Sequence, residues 1–284
     1  MGAEPSLSEG QLLDFWARPG FDVATDAWLV EMDRRLTGYA QVYYADSEHL
    51  SAFAIVHPEH TSRGLGSALA RLIEVRAQEK ATKGFLWLHS AVSPGDESAA
   101  RLLEARGYTW ARRFWHMEVD LSTWSEGEES LPRNIHLRPV AGKTDIREVH
   151  AVLEDALRDH WAYAPTPYKE YVQGARRQEG FDLSLWILAL DGEDPVGVLT
   201  ATTHPDRGWI EELGVRRSHR GRGIATALLR ASFAEFRRRR VPAVRVSVDS
   251  ENGSGAVSVY EHSGMRVVTS FDFWSRNLAD AAPG

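Results

Sequence analysis

The chain contains no cysteine. That absence excludes disulfides, thiolate metal sites and a cysteine nucleophile together. It also lacks an excess of positive charge: the formal net charge is −7, which argues against nucleic acid or an anionic membrane as the main partner. No apolar run approaches the roughly 18 residues a membrane helix needs. The opening "MGAEPSLSEG" has neither the apolar core nor the basic flank of a secretory signal, and Met-Gly with Ser6 after a proline is a weak match to a myristoylation signal. A cytoplasmic location is expected. What is present has the balance of a soluble globular protein, and 284 residues suffice for two domains that each bury a core.

The most informative stretch is "RRSHRGRGIATALL" (216–229), cations and two glycines ahead of an apolar helical run. "WIEELGV" before it reads as a strand, and Ile224, Ala227, Leu228 and Ala231 recur at helical spacing. A helix start exposes unpaired N–H groups and a partial positive charge, and glycines let an anion approach that backbone, so a phosphate is the expected guest. A Walker loop is excluded because no Gly-Lys-Ser/Thr precedes the helix. A dinucleotide-binding turn is excluded as well. Its first glycine should sit at the strand end, with an acidic residue about 20 positions on, whereas here Gly221 lies well past Val215 and "RRRRVP" occupies the downstream region.

The same pattern occurs earlier, in "HPEHTSRGLGSALA" (57–70). An offset of 159 places Gly64 on Gly223, Val56 on Val215, His60 on His219 and Gly38 on Gly197; Gly107 meets Gly264 after a two-residue gap. Landmarks in one order indicate duplication, so the halves should share a fold. The second half reads β-α-α-β-β-β-α-β-α-β, closing on "RVVTSFDFWSRNL", and the first half has the same order from Ala27 onward but lacks the opening strand and helices. The expected division is a shortened domain over 1–124, a polar linker over 125–134 and a complete domain over 135–284. On this division 1–124 should need the second half for cover, while 130–284 should fold alone.

Arg220-Gly221-Arg222-Gly223-Ile224-Ala225 matches the Arg/Gln-x-x-Gly-x-Gly/Ala signature of the GNAT acetyltransferase superfamily, and "ENGSGAVSVYEHSGM" resembles that family's last motif. The resemblance covers 135–278 and, more loosely, 27–121. It implies an α/β fold of two tandem GNAT domains, each a mixed, mostly antiparallel sheet flanked by helices, the first truncated at its front. It also implies acetyl-CoA as the acyl donor, with no metal. In the family, backbone at Leu213, Gly214 and Val215 pairs with the pantetheine arm. N–H groups of Arg222, Gly223, Ile224, Ala225 and Thr226 cradle the pyrophosphate beside Gly221, and Arg220 and Arg222 add charge. Arg216 and Arg217 fit a solvated turn equally well. The run Arg237–Arg240 either complements a helix end or reaches the ribose phosphate.

Acetylating an aliphatic amine, whose pKa is about 10.4 like that of lysine, requires a base at neutral pH. "WIEELGV" is similar to the corresponding strand of spermidine/spermine acetyltransferases, which implies Glu211 as base and Glu212 as the carboxylate that holds the amine. Strand alternation would send these two side chains to opposite faces, and a surface pair is the alternative. Tyr260 lies four residues before Gly264, where GNAT enzymes place a tyrosine that protonates the departing thiolate; otherwise it is a packed aromatic. Asn252, just ahead of the last helix, either caps that helix or touches the cofactor. Acceptor specificity is expected from "RDHWAYAPTPYKEY" (158–171), with Asp159, His160 and Trp161 as candidate contacts, although the rings could simply pack and His160 could be structural.

The offset turns Glu211, Glu212 and Tyr260 into Ala52, Phe53 and Leu103, so catalysis is expected in the second half. The two-domain plan and "VSVYEHSGM" resemble mycothiol synthase and its relatives, from which the short first half departs. The expected activity is N-acetyl transfer to a primary amine of a small molecule or peptide, with a non-catalytic acyl-CoA-binding or sensing module as the alternative. Monomer and homodimer both fit the sequence.

Overall fold

The computed structural model describes residues 12, 13, 16, 17, 20–45, 48–81, 87–125 and 131–280. Packing groups the chain into two units, Met1–Phe114 with Ser270–Gly284, and Trp115–Thr269. Among the described residues no helix is long and apolar enough to cross a membrane.

The first unit opens on a short helix, α1 (Val23–Asp26), followed by strands β1 (Ala27–Met32), β2 (Arg35–Tyr44) and β3 (His49–Val56). A single 3-10 turn (Pro58–His60) leads to α2 (Leu65–Lys80), then β4 (Trp87–Val92), α3 (Glu97–Ala105) and the first part of β5 (Thr109–Asp120). Alternation along β2 turns Ala40 and Val42, both fully buried, toward Leu69 and Ile73 of α2. The strand that completes this core comes from the far end of the chain. Residues 272–277 of β11 (Arg266–Asn277) run antiparallel to β4, from Asp272 opposite Val92 to Asn277 opposite Trp87. Trp274 and Leu278 are buried in the first unit's core.

The second unit takes residues 115–120 of β5, then β6 (Ile135–Pro139), α4 (Lys143–Ala156), α5 (Tyr168–Arg177), β7 (Ile187–Asp191), β8 (Asp194–Thr203) and β9 (Gly208–Val215). A 3-10 turn (Arg217–His219), α6 (Ile224–Arg238), β10 (Ala243–Asp249), α7 (Ala256–His262) and the start of β11 follow. Its strand order is β5-β10-β9-β8-β7-β6, antiparallel from β6 to β9 and parallel between β9 and β10. Ile146, Val149, Val152, Leu153 and Ala156 form one buried stripe on α4, and Ile224, Leu228, Phe233 and Phe236 form the buried face of α6. Met117, Val119 and Leu121 are buried in this core, and the Leu121 N–H donates to the Pro242 carbonyl at 2.8 Å.

The duplication is visible in details that composition does not carry. β1–β2 and β7–β8 share an irregularity at equivalent places, between Val30 and Glu31 and between Ala189 and Leu190. Both halves place a 3-10 turn and a left-handed glycine before the central helix, Gly64 at φ +82° and Gly223 at +77°. The units depart from the expected division in two segments. Residues 115–124 lie with the second unit, and 270–284, read as the end of the second half, lie with the first. Periodicity identifies a strand but not its distant partner, and the units divide inside β5 and inside β11, where composition marks no break. Within the expected linker, 126–130 lie outside the described residues.

Candidate active site

The glycine loop is shaped by its backbone. Gly221 and Gly223 have φ of +73° and +77°, a region where an L side chain is strained. The first helical bond of α6 joins the Ala227 N–H to the Gly223 carbonyl at 3.0 Å. The N–H groups of Ile224, Ala225 and Thr226 therefore have no partner within the helix, and they sit at the positive end of its dipole. The guanidinium groups have other partners. Arg220 donates to the carbonyls of Val215 (3.2 Å) and Ala156 (2.8 Å), tying the loop to the ends of β9 and α4. Arg222 pairs with Asp191 at 2.8 Å, Arg216 donates to the Pro195 carbonyl at 2.8 Å, and Arg217 pairs with Asp159. The arginines fix the loop, and the donors it offers an anion are those of the backbone at the helix end.

Beside this loop the sheet opens. β9 and β10 pair only from Gly208–Ile210 to Val244–Val246. Past Ile210 and Val246 the two strands no longer pair, which leaves the backbone of Leu213, Gly214 and Val215 free on that side to take an extended arm as an added strand. The open edge and the free N–H groups together fit a pantetheine pyrophosphate. The first unit repeats the opening, with β3 and β4 paired only from His49–Ala52 to Trp87–Ser90.

The expectation that Glu211 and Glu212 face opposite ways is overturned by a β-bulge. Thr200 lies opposite Glu212 and Ala201 opposite Ile210, so Glu211 is the extra residue. The Glu212 carboxylate accepts from Thr200 Oγ1 at 3.2 Å and from the Tyr171 hydroxyl at 3.1 Å, while the Glu211 carboxylate accepts from Thr202 Oγ1 at 2.7 Å. Thr200 and Thr202 stand two apart on β8 and point the same way, so both carboxyls lie on one face. Burial pushes the Glu212 carboxyl up to about 7; the hydroxyls of Tyr171 and Thr200 pull against this, while Glu211 and Glu154 add to it. Burial also raises Glu211, against the pull of Thr202. Two adjacent carboxyls shielded from water can accept a proton from an ammonium group near neutral pH. The first unit has no such bulge on its corresponding strand, where Ala52 and Phe53 pair in unbroken register with Val42 and Gln41.

Tyr260 lies in the second unit's core, and burial raises its phenol so that it stays protonated at neutral pH. Asn252 accepts from the Ser254 N–H at 2.8 Å and shapes the turn before α7, whose N-cap is Gly255. Asp159 and His160 are exposed, and Asp159 is held by Arg217 at the loop; Trp161 is half-buried. In the same stretch Tyr163 donates to Glu154 at 2.7 Å, and Tyr171 reaches the carboxyls. Sequence reading did not single out Thr200, Thr202 or Tyr171. The alternating threonines of "LTATT" were the available signal for the first two, but their meaning depends on a pairing that only the folded sheet defines.

The model of the acetyltransferase (GNAT) family matches residues 4–108 and 149–265. The chain belongs to the GNAT family. It is an acyltransferase, and enzymes of this family use acetyl-CoA as donor. A mycothiol acetyltransferase of Nocardia farcinica is 31% identical over 245 residues, covering 83% of this chain and 78% of the relative. One from Streptomyces avermitilis is 28% identical over 265 residues, covering 92% and 82%. The crystal structure of a GCN5-related N-acetyltransferase from Sphaerobacter thermophilus superposes with a TM-score of 0.84 at 29% identity over 99% of this chain and 88% of that one. A tandem GNAT protein from the clavulanic acid biosynthesis pathway shares the fold, with a TM-score of 0.68 at 19% identity over 91% and 83%.

Proposed function

We propose that the second unit transfers an acetyl group directly to the primary amine of a small molecule or peptide. The observation that carries this reading is the bulge that sets Glu211 and Glu212 side by side, present on β9 and absent from its counterpart β3. When bound, acetyl-CoA supplies an activated thioester. The N–H groups at the start of α6 hold its pyrophosphate, and the open edge of β9 aligns its arm. Glu212, steadied by Tyr171 and Thr200, pairs with the incoming ammonium group. Glu211 removes the proton that makes this nitrogen unreactive. Tyr260, kept protonated by burial, gives a proton to the departing sulfur. The acceptor is a cation that two carboxyls receive, in line with the mycothiol acetyltransferases among the relatives. The site calls for no metal, and a cytoplasmic location is consistent with this chemistry.

The test is thiol release from acetyl-CoA with a panel of amines, aminoglycosides, peptide N-termini and the acceptor of the mycothiol acetyltransferases. At least one amine should be acetylated, and Glu211→Gln should abolish the reaction. Tight acetyl-CoA binding without turnover on any amine would make the protein a binding module.

A further inference from the structure

Acetylation of a protonated amine releases a proton: R–NH3+ and CH3C(O)–SCoA give R–NH–C(O)CH3, CoA–SH and H+. The nitrogen loses two protons, one of which ends on sulfur while the other must reach water. The Glu211 side chain is half-buried, and its carboxylate accepts a hydrogen bond from Thr202, a residue with no solvent exposure, which opens a route for that proton along β8. Thr202 Oγ1 lies 3.5 Å from His204 Nε2, and His204 Nδ1 lies 3.7 Å from a Glu179 carboxylate oxygen. The His204 and Glu179 side chains are 12% and 30% exposed, so the row leads from the half-buried carboxyl to the rim.

We propose that Thr202 and His204, steered by Glu179, form the exit through which Glu211 returns its proton to solvent in each turnover. The proposal rests on the reading of Glu211 as the base. Neutral His204 keeps its hydrogen on Nδ1, toward the Glu179 carboxylate, and turns the Nε2 lone pair to Thr202. While Glu211 is ionised the Thr202 hydroxyl donates to it. Once Glu211 is protonated the direction reverses. The Glu211 O–H bond breaks as a bond to Thr202 Oγ1 forms, and the threonine's own hydrogen passes to Nε2. His204 becomes an imidazolium facing Glu179 and sheds its Nδ1 proton to water; the proton left on Nε2 then exchanges through solvent back to Nδ1, which restores both groups without any change in electron count.

The placement of Glu179 is built into the backbone. Gly180 has φ +74°, and a Cβ there would fall 1.8 Å from the Thr203 carbonyl oxygen. The Thr203 N–H donates to the Gly180 carbonyl at 3.0 Å, and Phe181 bridges to Thr202. The segment carrying Glu179 is thereby pressed along β8. The other charged groups around the row are Asp206 and its partner Arg207, with His204 adding a lesser stabilisation of the Asp206 carboxylate, and, at the inner end, Glu212, which accepts from the neutral Tyr171 hydroxyl.

Two measurements on the full chain decide the matter. In the free protein, nitrogen-15 NMR should show neutral His204 protonated on Nδ1, the resonance being assigned by its loss in His204→Gln. The Nε2-protonated form would overturn the relay. In turnover, His204→Ala should lower kcat at least about tenfold in dilute buffer, and added imidazole should restore it saturably. Thr202→Val should be slow with or without imidazole, and Thr202→Ser should recover most of the rate. A His204→Ala protein at wild-type rate in dilute buffer, or one that imidazole cannot rescue, removes His204 from the exit. Glu211→Gln separates the two claims: full activity in that variant sinks the base itself, whereas an inactive Glu211→Gln beside an unimpaired His204→Ala sinks only the relay.

Discussion

Glu212 carries a carboxyl that burial has moved from its ordinary 4.5 to about 7. Between these values the folded chain holds more protons than the unfolded chain. This group's contribution to stability therefore declines as pH rises through that window. Glu212→Gln should stabilise the protein against urea at pH 8 by about 1–3 kcal/mol and give no gain at pH 4. Equal differences at both pH values would mean that the carboxyl is not raised. The same variant should lose amine turnover, since the ionised form is the one that binds an ammonium group. Tyr260→Phe should lower kcat by about 10²–10⁴-fold with acetyl-CoA affinity kept, because the hydroxyl is needed only as the sulfur departs; an equal fall in affinity would make the ring a packing element. At this scale the sequence pointed to Glu211, Glu212 and Tyr260 as candidates but misjudged the directions of the two carboxyls. Alternation is the only local rule for where a strand side chain points, and the bulge that breaks it is defined by β8, a different stretch of chain.

At the scale of elements, the strand, 3-10 turn, left-handed glycine and helix were legible because each is written locally: cations, glycines and a helical apolar stripe. What the local pattern could not show was the use of the cations, since Arg220 finds its carbonyl acceptors 5 and 64 residues away. Gly223→Asp should abolish acetyl-CoA binding in the second unit, because it strains the backbone at φ +77° and puts a carboxylate at the proposed pyrophosphate site. Isothermal titration reads this directly, and unchanged affinity would move the cofactor elsewhere. Gly64→Asp asks the same of the first unit, whose loop has Ser62 at φ +59° where the second has Gly221. Survival of catalysis in that variant would show the first loop to be dispensable.

For the whole molecule, the duplication was readable and the exchange of strands was not. A residue's partner across a sheet is a property of the pair, and nothing near Trp274 in sequence names β4. The consequence for stability is specific. Trp274→Ala should cost about 3–5 kcal/mol, as large aromatic truncations in cores do, and the loss should fall on the first unit. Hydrogen exchange should show β4 losing protection while α6 and β9 keep theirs; loss confined to the second unit would contradict the assignment of 270–284. A fragment cut at 130, by contrast, lacks Met117, Val119 and Leu121, three buried members of the second unit's core. It should be less stable than the intact chain, contrary to what composition alone suggested.

The strand contributed by residues 272–277 also orders events in time. As the chain leaves the ribosome, β1 to β4 emerge early, yet the partner that β4 needs is made only after the second unit, which separates the two in the chain. The usual sequence, in which the amino-terminal portion folds first during synthesis, is closed to this protein. While the second unit is being made the first waits with one edge of β4 unpaired, and the second can take up its fold earlier, once β10 and α7 are out. The half that is made first is finished last. A chain that stops before residue 272 would therefore fail at the unit it made first.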